Sequence, residues 1–314
     1  MTTEPTDLAG SPSPDSQKKN VTWKGLIHLM VVYVVWGSTY LGIRIAVREG
    51  AGFPPFIMGA MRTLVSGGLL LLWAVIFKKR IKLTKTEIIV LAGSGLLLWL
   101  GGHGMVVWAE QRAHSLFAAL MLGAEPIFVA LIEVIIDRRL PSLAFVFSLI
   151  IGFAGIAVLS APVLTSGIQA DILSFAALLI AGISWSLGSI LQQRKPVDIS
   201  PTTSSGYQLL FGGIGLAAFA LLLNEPMPNP TPEAWLAWLY LVIFGSFLAF
   251  TSYVKALQLL PISIVMTYPY VNPVIAIFLG WLILNEPVTI WTITGAALVM
   301  LGVAGIFRTR QDSP

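Results

Sequence analysis

Ten apolar stretches follow one another between Gly25 and Phe307, each near the roughly 20 residues that a helix needs to cross the hydrocarbon core of a bilayer. They fall at 25–47, 54–77, 87–109, 114–136, 142–160, 172–193, 203–223, 234–254, 263–284 and 288–307. The short connections carry the Pro, Asn, Asp and charged residues that end helices. Long Leu, Ile, Ala and Gly runs lack the period of two that membrane β-strands require. Only 11% of the 314 residues are charged and 56% are hydrophobic, against about 25% and roughly 45–50% in soluble domains. So few charges cannot cover a water-soluble surface. A cytosolic enzyme, a nucleic-acid binder and a disordered scaffold are excluded, and the expected fold is an all-α membrane protein of ten transmembrane helices.

An even number of spans puts both termini on one side. With the termini in the cytoplasm, 15 of the 19 Lys and Arg residues fall on inner segments, while Arg44, Arg48 and Arg112 are outside and Arg62 lies within a span. That bias orients the chain by the positive-inside rule. The net charge of +4 therefore reads as a topology signal, with no nucleic acid as partner. Residues 1–23, rich in Pro, Ser, Thr and Asp, read as a disordered cytoplasmic tail, and 308–314 as a second, short one. The apolar stretch from Gly25 is too long for a signal peptide and leads into polar residues, so it reads as the first span. The chain holds no cysteine, which removes disulfides and thiolate metal sites.

The chain repeats itself. An offset of 147 superposes Pro126 on Pro273 and Gly155 on Gly302, and aligns AEPIFVALIEVIIDRRLPS with VNPVIAIFLGWLILNEPVT. At slightly different offsets Trp36 falls opposite Trp185, and Gly67 opposite Gly213. The units are 24–160 and 172–307. Five spans is an odd number, so the second copy is inverted relative to the first. Inverted repeats are a mark of secondary transporters, whose substrate site lies between the halves near mid-membrane.

Together the ten spans, the 5+5 repeat and the motifs WGSTYLGIR, GHGMVVWAE, YVNPVIA and the LNEP turn resemble the drug/metabolite transporter superfamily, and most of all its EamA-type branch of inner-membrane exporters. The resemblance covers about residues 25–307. It implies a basket of ten helices around a central cavity, exporting amino acids or other small metabolites by alternating access, and leaves the substrate open.

Ionisable groups inside a span cost about 2.5–3.5 kcal/mol each at its centre and are functional candidates by default. Glu125 lies halfway along span four, Arg62 roughly 12 Å deep in span two at 1.5 Å per residue, Arg44 in the outer part of span one, and His103 in the outer half of span three. All four fall between the midplane and the outer surface, where they could line one outward-facing cavity. A carboxylate in low dielectric holds its proton more tightly, so Glu125 is the candidate coupling group. It could equally neutralise a substrate ammonium, or form a fixed ion pair with Arg62 or Arg44 that holds helices together. Glu133 lies near the cytoplasmic end beside Asp137, Arg138 and Arg139, and reads as interfacial. Pro126 and Pro273 are candidate hinges, each expected to free a backbone carbonyl at mid-depth, or else simple kinks.

Tyr268, Tyr270 and Asn272 of TYPYVNP, with Trp36 and Trp185, are candidate substrate contacts; both indoles need an N–H partner so far from the interface. Ser38, Thr39 and Tyr40 could bind substrate or hydrogen-bond their own helix. His103 is a possible relay or a histidine bonded to a neighbouring backbone, while His28 and His114 sit near span ends. The small-residue pairs Ala119 and Gly123, and Ser148 and Gly152, suit helix packing. No metal site is expected from three scattered histidines.

The expected function is a proton-linked or facilitated secondary transporter of the cytoplasmic membrane, exporting amino acids or similar small metabolites or drugs. An exchanger of nucleotide sugars or phosphorylated metabolites is the alternative, resting on Arg62 and Arg44, and a channel ranks after it. H-E-x-x-H and P-loop motifs are missing from the sequence, so neither an enzyme nor an ATP-driven pump is expected. Expected partners are the lipid bilayer, a small-molecule substrate and protons, with no cofactor and with the chain a monomer or weak dimer.

Overall fold

The computed structural model describes residues 21–111, 115–165, 172–284 and 288–311. The expectations for the tail before Val21, for Arg112 and His114, for most of the LNEP turn after span nine and for 312–314 lie outside the described residues, as does the side chain of Ala119.

The chain forms α1 (Trp23–Val47), α2 (Pro55–Ile76), α3 (Lys85–Glu110), a split α4 (α4a, Ser115–Leu122; α4b, Glu125–Asp137) and α5 (Leu143–Thr165). The second half follows with α6 (Ile172–Arg194), α7 (Pro201–Leu222), α8 (Pro232–Leu259), a split α9 (α9a, Ile262–Val265; α9b, Tyr268–Leu284) and α10 (Ile290–Gln311). Among the described residues nine of these crossings are long and apolar enough to span a bilayer, and the split α4 makes the tenth.

Local chemistry sets the helix starts. Thr22, Ser200 and Thr231 accept from the backbone N–H of Gly25, Thr203 and Ala234, and Thr84 forms a reciprocal capping box with Glu87. Pro55, Pro201 and Pro232 each occupy a first helical position, where a missing N–H costs nothing. Trp23 is therefore helical, and α1 begins two residues before the expected span.

Two departures from plain helices recur in both halves. Spans four and nine are broken, at Gly123–Ala124 and at Met266–Thr267. The third helix of each half carries a π-helical segment, Leu96–Gly104 in α3 and Leu241–Phe250 in α8. The break in α4 corrects the reading of Pro126. It stands at the second position of α4b, where its missing N–H would have lacked a helical acceptor anyway, so it frees no carbonyl. Pro273 does lie inside a helix, and the carbonyl of Pro269, four residues earlier, loses its helical donor.

Reciprocal contacts establish the inverted two-fold relation. In α2 and α7, a Cβ on Gly67 would lie 3.0 Å from Leu210 and one on Gly213 2.8 Å from Leu64. Both partners of one pair become those of the other on adding 146. In α5 and α10, Gly155 abuts Val299 and Gly295, while Gly302 abuts Gly152 and Ser148, and here the relation is an offset of 147. Ser148 and Gly152 thus pack a helix interface, as their spacing suggests. Both glycine-rich pairs contribute to the main buried cluster, Leu70, Leu209 and Leu216 from one and Leu149, Ile156, Val299 and Val303 from the other.

Candidate substrate cavity

A cavity of about 80 Å³ lies among α1, α2, α3, α4, α6 and α9b. Trp36, Thr39, Tyr40, Arg62, His103, Glu125, Trp185, Tyr268 and Asn272 line it, joined by Trp99, Leu122 and Ala181. Nine of the residues singled out in the sequence therefore meet around one space.

Arg62 is 2% exposed and Glu125 3%, so each needs partners inside the bundle. The Arg62 Nε donates to Ser246 Oγ at 2.7 Å, its Nη1 lies 3.0 Å from His103 Nε2, and its guanidinium sits 5.5 Å from the Trp99 ring centre. A guanidinium cannot accept, so His103 Nε2 must, and the imidazole carries its proton on Nδ1. The Glu125 carboxylate accepts a hydrogen bond from Tyr268 Oη at 2.7 Å. Among the described residues the ion pairs are Arg80–Glu87, Arg194–Glu133 and Arg194–Asp137. The Glu125 pairing with Arg62 or Arg44 is therefore not formed. Position explains the difference: Glu125 opens α4b facing α9b, whereas Arg62 points from α2 toward α8 and α3. Arg194 holds Glu133 and Asp137 at the far end of α4b.

Aromatic rings form the floor. Trp36, Trp185, Tyr253 and Tyr268 pack with centroids 5.0–5.8 Å apart. Both indoles have the N–H partners that burial demands: Trp36 donates to the Gly245 carbonyl at 3.0 Å and Trp185 to Tyr253 Oη at 3.2 Å. The carbonyls of Tyr33 and Tyr268 flank the Asn272 amide at 3.2 and 3.1 Å, so its NH₂ group faces them and its oxygen turns away.

Three expected residues stand apart. Ser38 bonds the Val35 carbonyl and Tyr240 Oη. Tyr270 donates to the Leu149 carbonyl and packs on Gly152, tying α9b to α5. Arg44 is exposed and does not line the cavity. Thr39 bonds the Trp36 carbonyl of its own helix and also lines the cavity. His28 lies 3.3 Å from Ser252. Sequence reasoning missed Trp99, Tyr253 and Ser246. Trp99 precedes His103 by one turn on α3. Ser246 falls opposite Gly101 when the first residues of the two π-segments, Leu96 and Leu241, are superposed.

Comparison with known proteins agrees with this architecture. The chain is 31% identical over 254 residues to the inner membrane transporter YedA of Escherichia coli (strain K12), covering 80% of each chain. It is 22% identical over 281 residues to the transporter YoaV of Bacillus subtilis (strain 168), covering 89% of this chain and 95% of that one. A crystal structure 19% identical in sequence superposes with a TM-score of 0.71 over 93% of this chain and 100% of the other, which speaks to the fold. Residues 23–161 and 172–308 each match the model of the EamA-like transporter family, and the chain, a multi-pass membrane transporter, belongs to that family.

Proposed function

We propose that this transporter exports amino acids or similar small zwitterionic metabolites across the cytoplasmic membrane by alternating access, with Glu125 as the proton-coupling group. The observation that carries the reading is a guanidinium and a carboxylate, Arg62 and Glu125, lining one cavity floored by aromatic rings. A zwitterion brings a carboxylate for the first and an ammonium for the second, and an apolar body for the rings. Among the described residues Glu125 is held by one phenol, Tyr268, which a substrate ammonium or a proton can replace. The Lys and Arg bias supports both termini in the cytoplasm, which sets the cavity in the outer half of the bundle. Carriers of phosphorylated substrates need several cations, and among the described residues Arg62 is the one Lys or Arg that lines this cavity.

The test uses proteoliposomes with imposed pH gradients and a panel of labelled amino acids. Uptake into inside-out vesicles should follow the gradient in the native chain, and Glu125→Gln should uncouple it. Gradient-driven transport surviving in Glu125→Gln overturns the coupling role. Transport of phosphorylated metabolites that Arg62→Gln abolishes and Glu125→Gln spares would establish the alternative.

A further inference from the structure

Between the aromatic floor and the end of the bundle that carries the termini lies a second polar cluster. Along α6, Trp185 is at the floor, Ser189 one turn on, and Gln192 about 10 Å beyond Trp185 at 1.5 Å per residue. Tyr253 Oη joins the first two, 3.2 Å from Trp185 Nε1 and 2.5 Å from Ser189 Oγ. Next, Gln208 Nε2 of α7 donates to Gln192 Oε1 and to Ser94 Oγ of α3, both at 2.7 Å. Gln208, Ser94, Ser204 and Ser205 are essentially inaccessible and Gln192 is 8% exposed.

This cluster is incompletely bonded. Gln192 Nε2, Gln208 Oε1 and the hydroxyls of Ser204 and Ser205 are buried with no hydrogen-bond partner among the described residues. One bond between two amides leaves a donor and an acceptor over whichever way each amide is turned. Buried polar atoms left unpaired are uncommon in native proteins and each asks for an explanation. The repeat supplies one. At the offset of 146 that relates the α2–α7 contacts, Gln208 falls on Arg62, the residue facing the central cavity. In an inverted pair, what one half presents toward one membrane face the other presents toward the opposite face.

We propose that Ser94, Gln192 and Gln208, with Ser204 and Ser205, form the closed half of the transport path: a polar wall that hydrates and lines a vestibule at the terminal end when the central cavity closes. This rests on the alternating-access reading. The unpaired groups are those that water satisfies in the other state.

The chain has no cysteine, so Gln192→Cys, Ser205→Cys, Leu209→Cys and Thr39→Cys each carry a single thiol in the full-length protein. Membrane vesicles, with a C-terminal tag reporting which side is exposed, are treated with a membrane-impermeant maleimide. From the terminal side, Ser205→Cys and Gln192→Cys should label about tenfold faster than Leu209→Cys, an equally buried apolar neighbour, because the reagent samples a minor open state. Ser205→Cys is nearly isosteric and keeps the fold. Adding Gln192→Leu and Gln208→Leu should slow its labelling by stabilising the closed wall. If the cluster thiols label no faster than Leu209→Cys while Thr39→Cys labels from the opposite side, the cluster is static packing; this inference fails and alternating access stands. If Thr39→Cys is also closed to reagent from that side, both fall.

Discussion

Trp36 and Trp185, at equivalent places in the two halves, meet edge to face with ring centroids 5.5 Å apart. The two repeats therefore touch through the same residue type on the cavity floor, and both indoles are anchored to α8, through Gly245 and Tyr253. Removing the Trp185 ring in Trp185→Ala should cost about 3–5 kcal/mol. Trp185→Phe keeps most of the packing and loses the bond to Tyr253, which should cost about 1 kcal/mol. Thermal unfolding in detergent resolves the two; a Trp185→Phe melting point equal to that of the native chain would show that the indole nitrogen contributes nothing.

Arg62 reaches three groups on two helices with one planar fork. A lysine ammonium cannot face Ser246 and His103 in that geometry, so Arg62→Lys should lose substrate binding as completely as Arg62→Gln. Arg62→Met should in addition destabilise the fold by about 1–3 kcal/mol, because Ser246 and His103 are left without their partner. Binding retained in Arg62→Lys would mean that charge alone is what the site needs.

Much of the site was legible because intramembrane charges, mid-span tryptophans and the repeat all concern single positions. Glu125, Arg62, His103, Trp36 and Trp185 converge as their depths suggested. What stayed hidden depends on rotation about a helix axis. Tyr270 sits two residues from Tyr268, yet that turns it some 200° away, onto α5. Ser38 likewise faces Tyr240 while Thr39 faces the cavity. The break before Pro126 and the π-segments that direct Trp99 and Ser246 depend on helix–helix fit, which no period in an apolar run records. Arg44, read as a cavity residue from depth alone, faces outward for the same reason.

Glu225, in the loop after α7, caps a helix that is not its own: its two carboxylate oxygens accept from the backbone N–H of Phe56 and Ile57 at the start of α2. Pro54 leaves α2 without a side-chain cap of its own. Glu225→Ala should therefore destabilise by about 0.5–2 kcal/mol, with Glu225→Gln between it and the native chain because the helix dipole favours the anion. Amide exchange at Phe56 and Ile57 should accelerate; unchanged exchange there would refute the cap.

Two hydrogen bonds from Arg194, at 2.7 and 2.5 Å, join α6 to Asp137 at the end of α4b. They hold the Asp137 carboxyl below its ordinary value. A depressed folded-state value means stability present above the unfolded-state value and lost as pH falls through the folded one. Asp137→Asn should thus destabilise at neutral pH and converge on the native chain in acid. The pair is partly exposed, so the effect should stay near 0.2–1 kcal/mol and shrink in salt. A deficit that persists in acid would point to packing instead.

The reciprocal glycines of α5 and α10 give the most direct check on the inverted architecture. A Cβ at Gly302 would lie 2.5 Å from the Gly152 nitrogen, and one at Gly155 2.6 Å from the Val299 nitrogen. Both neighbours are backbone atoms that no rotamer change can move, so the helices must part. Gly155→Ala and Gly302→Ala should each cost about 1–3 kcal/mol, the range for overpacked contacts. Because either substitution already separates the pair, the double variant should cost less than the sum, as coupled neighbours do. Gly68→Ala serves as the reference: its Cβ meets nothing within 4 Å, and replacing a helical glycine there should stabilise by about 0.5–1 kcal/mol. Strict additivity of the two costly substitutions in thermal or denaturant unfolding would mean that the two contacts relax independently.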